Sequence, residues 1–269
     1  MSQENRIDRR FAELKKEEKS AFVAYICAGD PTMDRSLDIM HALDRSGVDV
    51  IELGIPFSDP MADGIVNQMA AHRALEAGGN THGVLDLIRR FRETSETPIV
   101  LFTYLNPVYT YGFETFHADA AAAGADGILL LDLPPEEADR NAELTDAHDL
   151  KHICLIAPTT PEERIPQLAG NSEGFIYYVS REGVTGEQQS LAEGIDQNVA
   201  AIKAHTDVPV VVGFGISTPE QAAEVAKAAD GVVVGSAIVR QVEANGASET
   251  LAETIESFVK PLVEGTKSV

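Results

Sequence analysis

The segment Ile51-Glu-Leu-Gly-Ile-Pro-Phe-Ser-Asp-Pro-Met-Ala-Asp-Gly64 places three carboxylates where they could do acid–base work. Glu52 sits inside an apolar run of β character, 48–53, and Asp59 and Asp63 follow on a loop punctuated by Pro56, Pro60 and Gly64. A carboxylate in an apolar strand is costly to bury ionised, so it needs a partner, a raised pKa or a chemical task. A second acid arriving from the next loop makes the pair look like acid–base equipment. The competing reading is a buried Glu satisfied by backbone donors.

Other polar groups fall at the ends of predicted strands. Tyr104 and Asn106 follow the third, Asp132 closes the fourth, and Tyr177 lies in the sixth. The sixth leads into Ser180-Arg-Glu-Gly-Val-Thr-Gly-Glu187, which with the residues up to Ser190 is long, polar and glycine-bearing. Such a stretch suits a lid, although a linker reads similarly. The last two turns, Gly213-Phe-Gly-Ile-Ser217 and Gly235-Ser-Ala-Ile238, are more specific. Glycines there let backbone amides approach an anion, and the short helix opened by the second adds partial positive charge at its N-terminus. With Gly186 on the preceding loop, they read as a phosphate site.

The elements that must position these groups follow from periodicity. Strands are expected at 21–27, 48–53, 99–103, 127–132, 152–157, 174–179, 208–214 and 231–235, mostly near-continuous apolar runs suited to parallel strands buried on both faces. Helical patterns cover 33–45, 113–123, 135–147, 161–168, 196–203 and 219–228, several opened by a cap or an N1 proline such as Thr218-Pro219. Two further helices, 67–77 and 82–93, fill the gap between strands two and three. An amphipathic helix, 6–16, precedes the first strand and another, 249–263, closes the chain. Eight strands alternating with helices, without a linker-like tract, argue for one α/β domain over 1–269, a (β/α)8 TIM barrel with an extra N-terminal helix and added helices after strand 2. The alternative, an open doubly wound sheet, would show its phosphate fingerprint in the first strand–helix turn, and Gly29-Asp30-Pro31 is not one. In such barrels chemistry sits at the C-terminal ends of the strands, where all these polar groups fall.

Composition narrows the partners. A net charge of −22, from 43 acidic and 21 basic residues spread along the chain, repels nucleic acid and anionic membrane. It also suggests adaptation to high salt, where screening shortens the range of self-repulsion. No apolar run approaches a membrane span, and residues 1–19 lack an apolar secretion region, so a cytoplasmic protein is expected. Cys27 and Cys154 sit in separate strands without metal-ligand spacing and read as core filler, and the histidines are scattered; no metal site is expected.

Taken with Phe22-Val-Ala-Tyr-Ile-Cys-Ala-Gly-Asp-Pro31, Thr103-Tyr-Leu-Asn-Pro107 and Gly235-Ser-Ala-Ile-Val239, these segments resemble the tryptophan synthase α-subunit family along essentially the whole chain. The 52–64 segment is close to diagnostic, and all the segments occur in the family's order. The resemblance implies retro-aldol cleavage of indole-3-glycerol phosphate to indole and glyceraldehyde 3-phosphate, with no metal or organic cofactor in this subunit. It makes Glu52 the general acid–base and Asp63 the acceptor of the indole N–H. Phe22, Tyr104, Tyr177, Thr185 and Phe214 match residues around the indole and glycerol portions, with Phe22 and Phe214 expected to sandwich the ring. Gly186, Gly215, Gly235 and Ser236 match the phosphate site. It further implies docking on a pyridoxal-phosphate β subunit in an α2β2 assembly, with Pro56, Asp59, Pro60 and the lid facing that partner.

Ile65 and Asn67 depart from the family, which usually has Pro and an apolar residue at those positions, and Cys27 stands where the family often has Thr. Two other readings stay open. One is a non-catalytic subunit that only activates a β partner; the other is a related phosphate-binding barrel acting on a different ester.

Overall fold

Side chains alternate in and out along a strand, so one parallel barrel can carry a sealed base and a chemical rim on the same staves. The computed structural model describes residues 5–179, 190–213 and 215–269. Its strands are β1 (Ala21–Cys27), β2 (Val50–Gly54), β3 (Ile99–Thr103), β4 (Gly127–Leu130), β5 (Lys151–His152), β6 (Cys154–Ile156), β7 (Ile176–Val179), β8 (Val210–Gly213) and β9 (Gly231–Val234). All pair in parallel, in the order β5-β4-β3-β2-β1-β9-β8-β7-β6. β5 and β6 are one stave interrupted at Ile153, whose N–H still donates to the Ile128 carbonyl at 3.0 Å. The break falls where that stave passes from pairing with β4 to pairing with β7, and it closes the eight-stave TIM barrel.

The helices are α1 (Arg6–Lys16), α2 (Met33–Arg45), α3 (Ile65–Glu76), α4 (Thr81–Arg92), α5 (Leu105–Tyr111), α6 (Phe113–Ala123), α7 (Pro135–Ala147), α8 (Ile165–Asn171), α9 (Ser190–Lys203), α10 (Pro219–Ala226), α11 (Ser236–Asn245) and α12 (Leu251–Thr266). The extra helices after strand 2 are α3 and α4. Periodicity misses α5, a short helix with Pro107 in its first turn, where proline sacrifices no intrahelical bond. Its first N–H, from Leu105, is taken by Asp132 Oδ1 at 2.7 Å.

Outward residues such as Phe22, Ala24 and Ile26 of β1 join the layer between barrel and helices, with Ile39, Leu43, Leu85 and Ile255. Inward residues Val23, Val50, Val100, Leu129, Val211 and Val233 fill the lower barrel, and α1 plugs that end with Ile7, Phe11 and Leu14. Three aspartates lie one residue before a strand and bind the neighbouring stave's backbone. Asp49 accepts from the Phe22 N–H at 2.7 Å, Asp126 from Ile99 at 2.8 Å and Asp230 from Val210 at 2.8 Å. Cations complete each: Arg10 and Lys267 at Asp49, Arg6 and Arg92 at Asp126, and Lys203 at Asp230. With the base sealed and stapled, the opposite rim is left for chemistry.

Candidate active site

Alternation on β2 carries Val50 into the packed base, then Glu52 one step higher, then Gly54 at the rim. The Glu52 side chain is 0% exposed, and neither carboxylate oxygen has a hydrogen-bond partner among the described residues. Burial without a compensating donor pushes its pKa up to about 8, so at neutral pH it holds a proton. This is the environment that converts a carboxylate into a general acid.

Tyr25 is the register partner of Glu52 across the β1–β2 ladder and therefore shares its inward direction. Phe22, three residues earlier, points the other way: it is fully buried in the layer between barrel and helices. The expectation that Phe22 contacts the indole is corrected by the period of two, which turns an odd offset to the opposite face. Tyr25 is the strand-1 aromatic at the cavity, and counting from Glu52 through the parallel register could have found it.

Two glycines make room for two tyrosines. A Cβ at Gly54 would lie 2.7 Å from the Tyr25 hydroxyl, and one at Gly213 would lie 2.6 Å from the Tyr177 hydroxyl, so neither position accepts a side chain without displacing a phenol. Burial raises both phenols well above their ordinary pKa, and the charges of Glu52 and Asp63 both act on each in the same direction. The two carboxylates thus share the electrostatic surroundings of the same pair of hydroxyls.

Asp63 arrives on the loop after β2. Tyr104, at the exit of β3, donates its hydroxyl to Asp63 Oδ2 at 2.7 Å and accepts the Ala62 N–H at 3.1 Å. Its ring lies against Phe57, with centroids 5.4 Å apart. Gln68 donates to the Asp63 carbonyl at 2.8 Å, and the Asn67 amide stands 3.5 Å from Asp63 Oδ1. Burial raises the Asp63 pKa, with the hydrogen bonds from Tyr104 and Asn67 opposing the rise. α3, which follows this loop, is anchored by Arg73: its guanidinium meets Asp30 at 2.9 and 2.7 Å and Glu243 of α11 at 3.0 Å.

On the far rim Gly215 has φ +66°, a conformation that favours glycine. Gly235 caps α11 without any side-chain cap, and Ser236 is the first residue of that helix. Its first N–H groups and the positive end of the helix dipole are suited to an anion. Gly215, Gly235 and Ser236 line one cavity of about 390 Å³ together with Tyr25, Phe102, Tyr177 and Asn67. Arg240 borders the same cavity and supplies a cation that the glycine pattern does not signal. Phe102 and Arg240 carry no motif of their own; only the closed barrel brings them here. Thr185, Gly186, Phe214 and the lid lie outside the described residues.

In the loop after β2, Pro56 is buried, Pro60 half-buried and Asp59 exposed. Beside them Met61 and Ile65 are 82% and 70% exposed, which is high for apolar side chains. A larger hollow of about 740 Å³ opens at the opposite, plugged end of the barrel, where Lys15, Lys19, Lys203 and Lys227 are exposed surface groups remote from Glu52. Among the described residues there is no cluster of His, Cys, Asp and Glu able to hold a metal ion, and no helix long and apolar enough to cross a membrane.

The family model described as tryptophan synthase alpha chain matches residues 11–267. The tryptophan synthase alpha chain of Opitutus terrae is 50% identical over 264 residues, covering 98% of this chain and 99% of that one. The crystal structure of tryptophan synthase subunit alpha from Legionella pneumophila superposes with a TM-score of 0.90 at 42% identity, over 98% of this chain and 99% of that one. A chain of Mycobacterium tuberculosis tryptophan synthase superposes with a TM-score of 0.87 at 32% identity, over 97% and 98% of the two chains. With matches of this extent, a closed (β/α)8 barrel and a buried acid just below its rim, the chain belongs to the tryptophan synthase alpha chain family.

Proposed function

We propose that Glu52 and Asp63 together carry the family's reaction in this chain. That reaction, the chain's own as a member of the family, is a carbon–carbon lyase step: retro-aldol cleavage of indole-3-glycerol phosphate to indole and glyceraldehyde 3-phosphate. Glu52 delivers its proton to indole C3, giving an indolenine whose ring nitrogen carries positive charge. Asp63 accepts the ring N–H and stabilises that charge. The ionised Glu52 then takes the proton of the hydroxyl on the carbon next to the ring. The C–C electron pair returns to the ring system, the aldehyde forms, and the proton delivered to C3 stays on indole. Each positioned proton transfer contributes on the order of 10²–10⁴ in rate.

The observation that carries this reading is the setting of Glu52: fully buried, without a hydrogen-bond partner among the described residues, with burial raising its pKa to about 8, and register partner of the cavity-lining Tyr25. Tyr104, Tyr177 and Tyr25 form the polar and aromatic wall around the indole and glycerol portions. Gly215, Gly235 and Ser236, with Gly186 of the lid, hold the phosphate. Backbone amides suit that task in a chain of net charge −22, because they add local positive potential without a basic surface.

The docking surface for a β subunit is the rim at Pro56, Asp59 and Pro60, in an α2β2 assembly. Exposed Met61, Ile65 and Tyr109 on the same rim support an apolar contact there. The barrel acts as one domain over 1–269, in the cytoplasm. A silent activating subunit is the second reading, and Glu52 speaks against it, since burying a carboxyl with no donor among the described residues lowers stability to no purpose in a barrel that does no chemistry. The test is the formation of indole from indole-3-glycerol phosphate, with and without a β subunit, for the wild type and Glu52→Gln. Indole release by the wild type and none by the variant is expected; equal turnover would refute the role of Glu52.

A further inference from the structure

We infer that Asn67 is a positioning residue for Asp63 and also presents an acceptor to a hydroxyl of the bound substrate, an inference that rests on the lyase reading above. Asn67 lies in the first turn of α3, four residues after Asp63. Its amide nitrogen stands 3.5 Å from Asp63 Oδ1, a long contact, while the Tyr104 hydroxyl holds Oδ2 at 2.7 Å. The carboxylate is therefore held from both oxygens by groups on different elements, one on α3 and one at the exit of β3.

Asn67 Oδ1 is buried and has no hydrogen-bond partner among the described residues. An amide oxygen has two lone pairs, and leaving both unused out of water is unfavourable. Asn67 lines the cavity that holds Tyr25, Tyr177, Gly235 and Ser236, so this acceptor borders the space between the aromatic wall and the anion-binding rim. A substrate with a flat ring at one end and a phosphate at the other brings hydroxyls into that interval. Its ring N–H is already assigned to Asp63, which leaves a hydroxyl as the donor for Asn67.

The effect on Asp63 has a sign. A donor to the carboxylate favours its ionised form, and the Asn67 and Tyr104 hydrogen bonds both oppose the rise that burial causes. The titratable groups that feel the Asp63 charge are Tyr25 and Cys27 of β1 and Tyr177 of β7, with Glu52 acting on the same tyrosines and Arg240 on the cavity border. None of them replaces the Asn67 donor at Oδ1.

The experiment compares Asn67→Leu, Asn67→Gln and Asp63→Asn with the wild type on indole-3-glycerol phosphate, with inorganic phosphate as a binding probe. Asn67→Leu should lower kcat/KM about tenfold. It should also move the acid limb of the kcat/KM profile to higher pH and leave phosphate affinity unchanged. Asn67→Gln should recover part of both effects. If Asn67→Leu does not fold, Asn67→Ser, which lacks the reach, carries the same expectations. An unmoved rate, or a lower rate with an unmoved acid limb and no recovery in Asn67→Gln, overturns the inference. A wild type that makes no indole, or a fully active Asp63→Asn, overturns the lyase reading instead. An inactive Asp63→Asn beside an unaffected Asn67→Leu overturns only the role of Asn67.

Discussion

Tyr25 and Glu52 are register partners on adjacent staves, and the Tyr25 hydroxyl reaches over Gly54, two residues above Glu52. The phenol thus roofs the strand that carries the buried acid, and three residues form one unit: the acid, the ring above it and the glycine that admits the ring.

Glu52 should make stability fall as pH rises. Its folded pKa, about 8, lies above the ordinary carboxylate value, so between these values the unfolded chain binds fewer protons and unfolding becomes easier with increasing pH. Glu52→Gln has no such titration. Its Tm relative to the wild type should climb from pH 4 to pH 8, reaching a difference on the order of a few kcal/mol in stability. A constant difference across that range would show that Glu52 ionises normally.

Catalysis should respond to the same group in the same window. The proposed first step needs protonated Glu52, so the alkaline limb of the pH–rate profile should fall through about pH 8. A limb unchanged in position by substitutions that admit water beside Glu52, such as Tyr25→Ala, would assign it to another group.

Gly54→Ala tests the packing of acid and ring. The added methyl would sit 2.7 Å from the Tyr25 hydroxyl, so the ring must move or the strand must shift. A loss of about 1–3 kcal/mol in stability is expected, with a drop in kcat. Denaturant melts and steady-state kinetics measure both, and a variant with wild-type values would mean the phenol relocates freely.

Gly215→Asp places bulk and negative charge on the proposed phosphate-binding rim at a residue with φ +66°. KM for the phosphorylated substrate should rise at least about tenfold, as expected for loss of a charge-assisted contact. An unchanged KM counts against phosphate binding at this turn.

Asp126→Ala removes the buried anion shared by Arg6, Arg92 and the Ile99 N–H, far from the rim. It should destabilise the barrel by about 3–5 kcal/mol, because the cations lose their partner. Activity per folded molecule should be retained. On the outer surface the expectation is opposite in kind: with a net charge of −22, Tm should rise from dilute buffer to molar KCl as self-repulsion is screened.

The strand and helix order and the place of Glu52 in a buried strand were legible in the sequence because each is a local property, and the alternation of elements implied the barrel. Apolar runs, cap residues and a lone carboxylate in an apolar run need no knowledge of distant neighbours. The positions of Asp63 and of the glycine turns at Gly215 and Gly235 after particular strands were legible for the same reason, and their roles are those proposed above. Direction within the barrel was not. Phe22 and Tyr25 are both aromatic on one strand, and only the parallel register with β2 sends one to the helix layer and the other to the cavity. The short helix α5 was hidden because its first N–H is satisfied by Asp132, 27 residues later. Asn67 read as a departure from a pattern until the loop fold brought its amide to Asp63. Periodicity along a chain assigns faces to elements, whereas a site assembled from several staves exists only once closure has decided which faces meet.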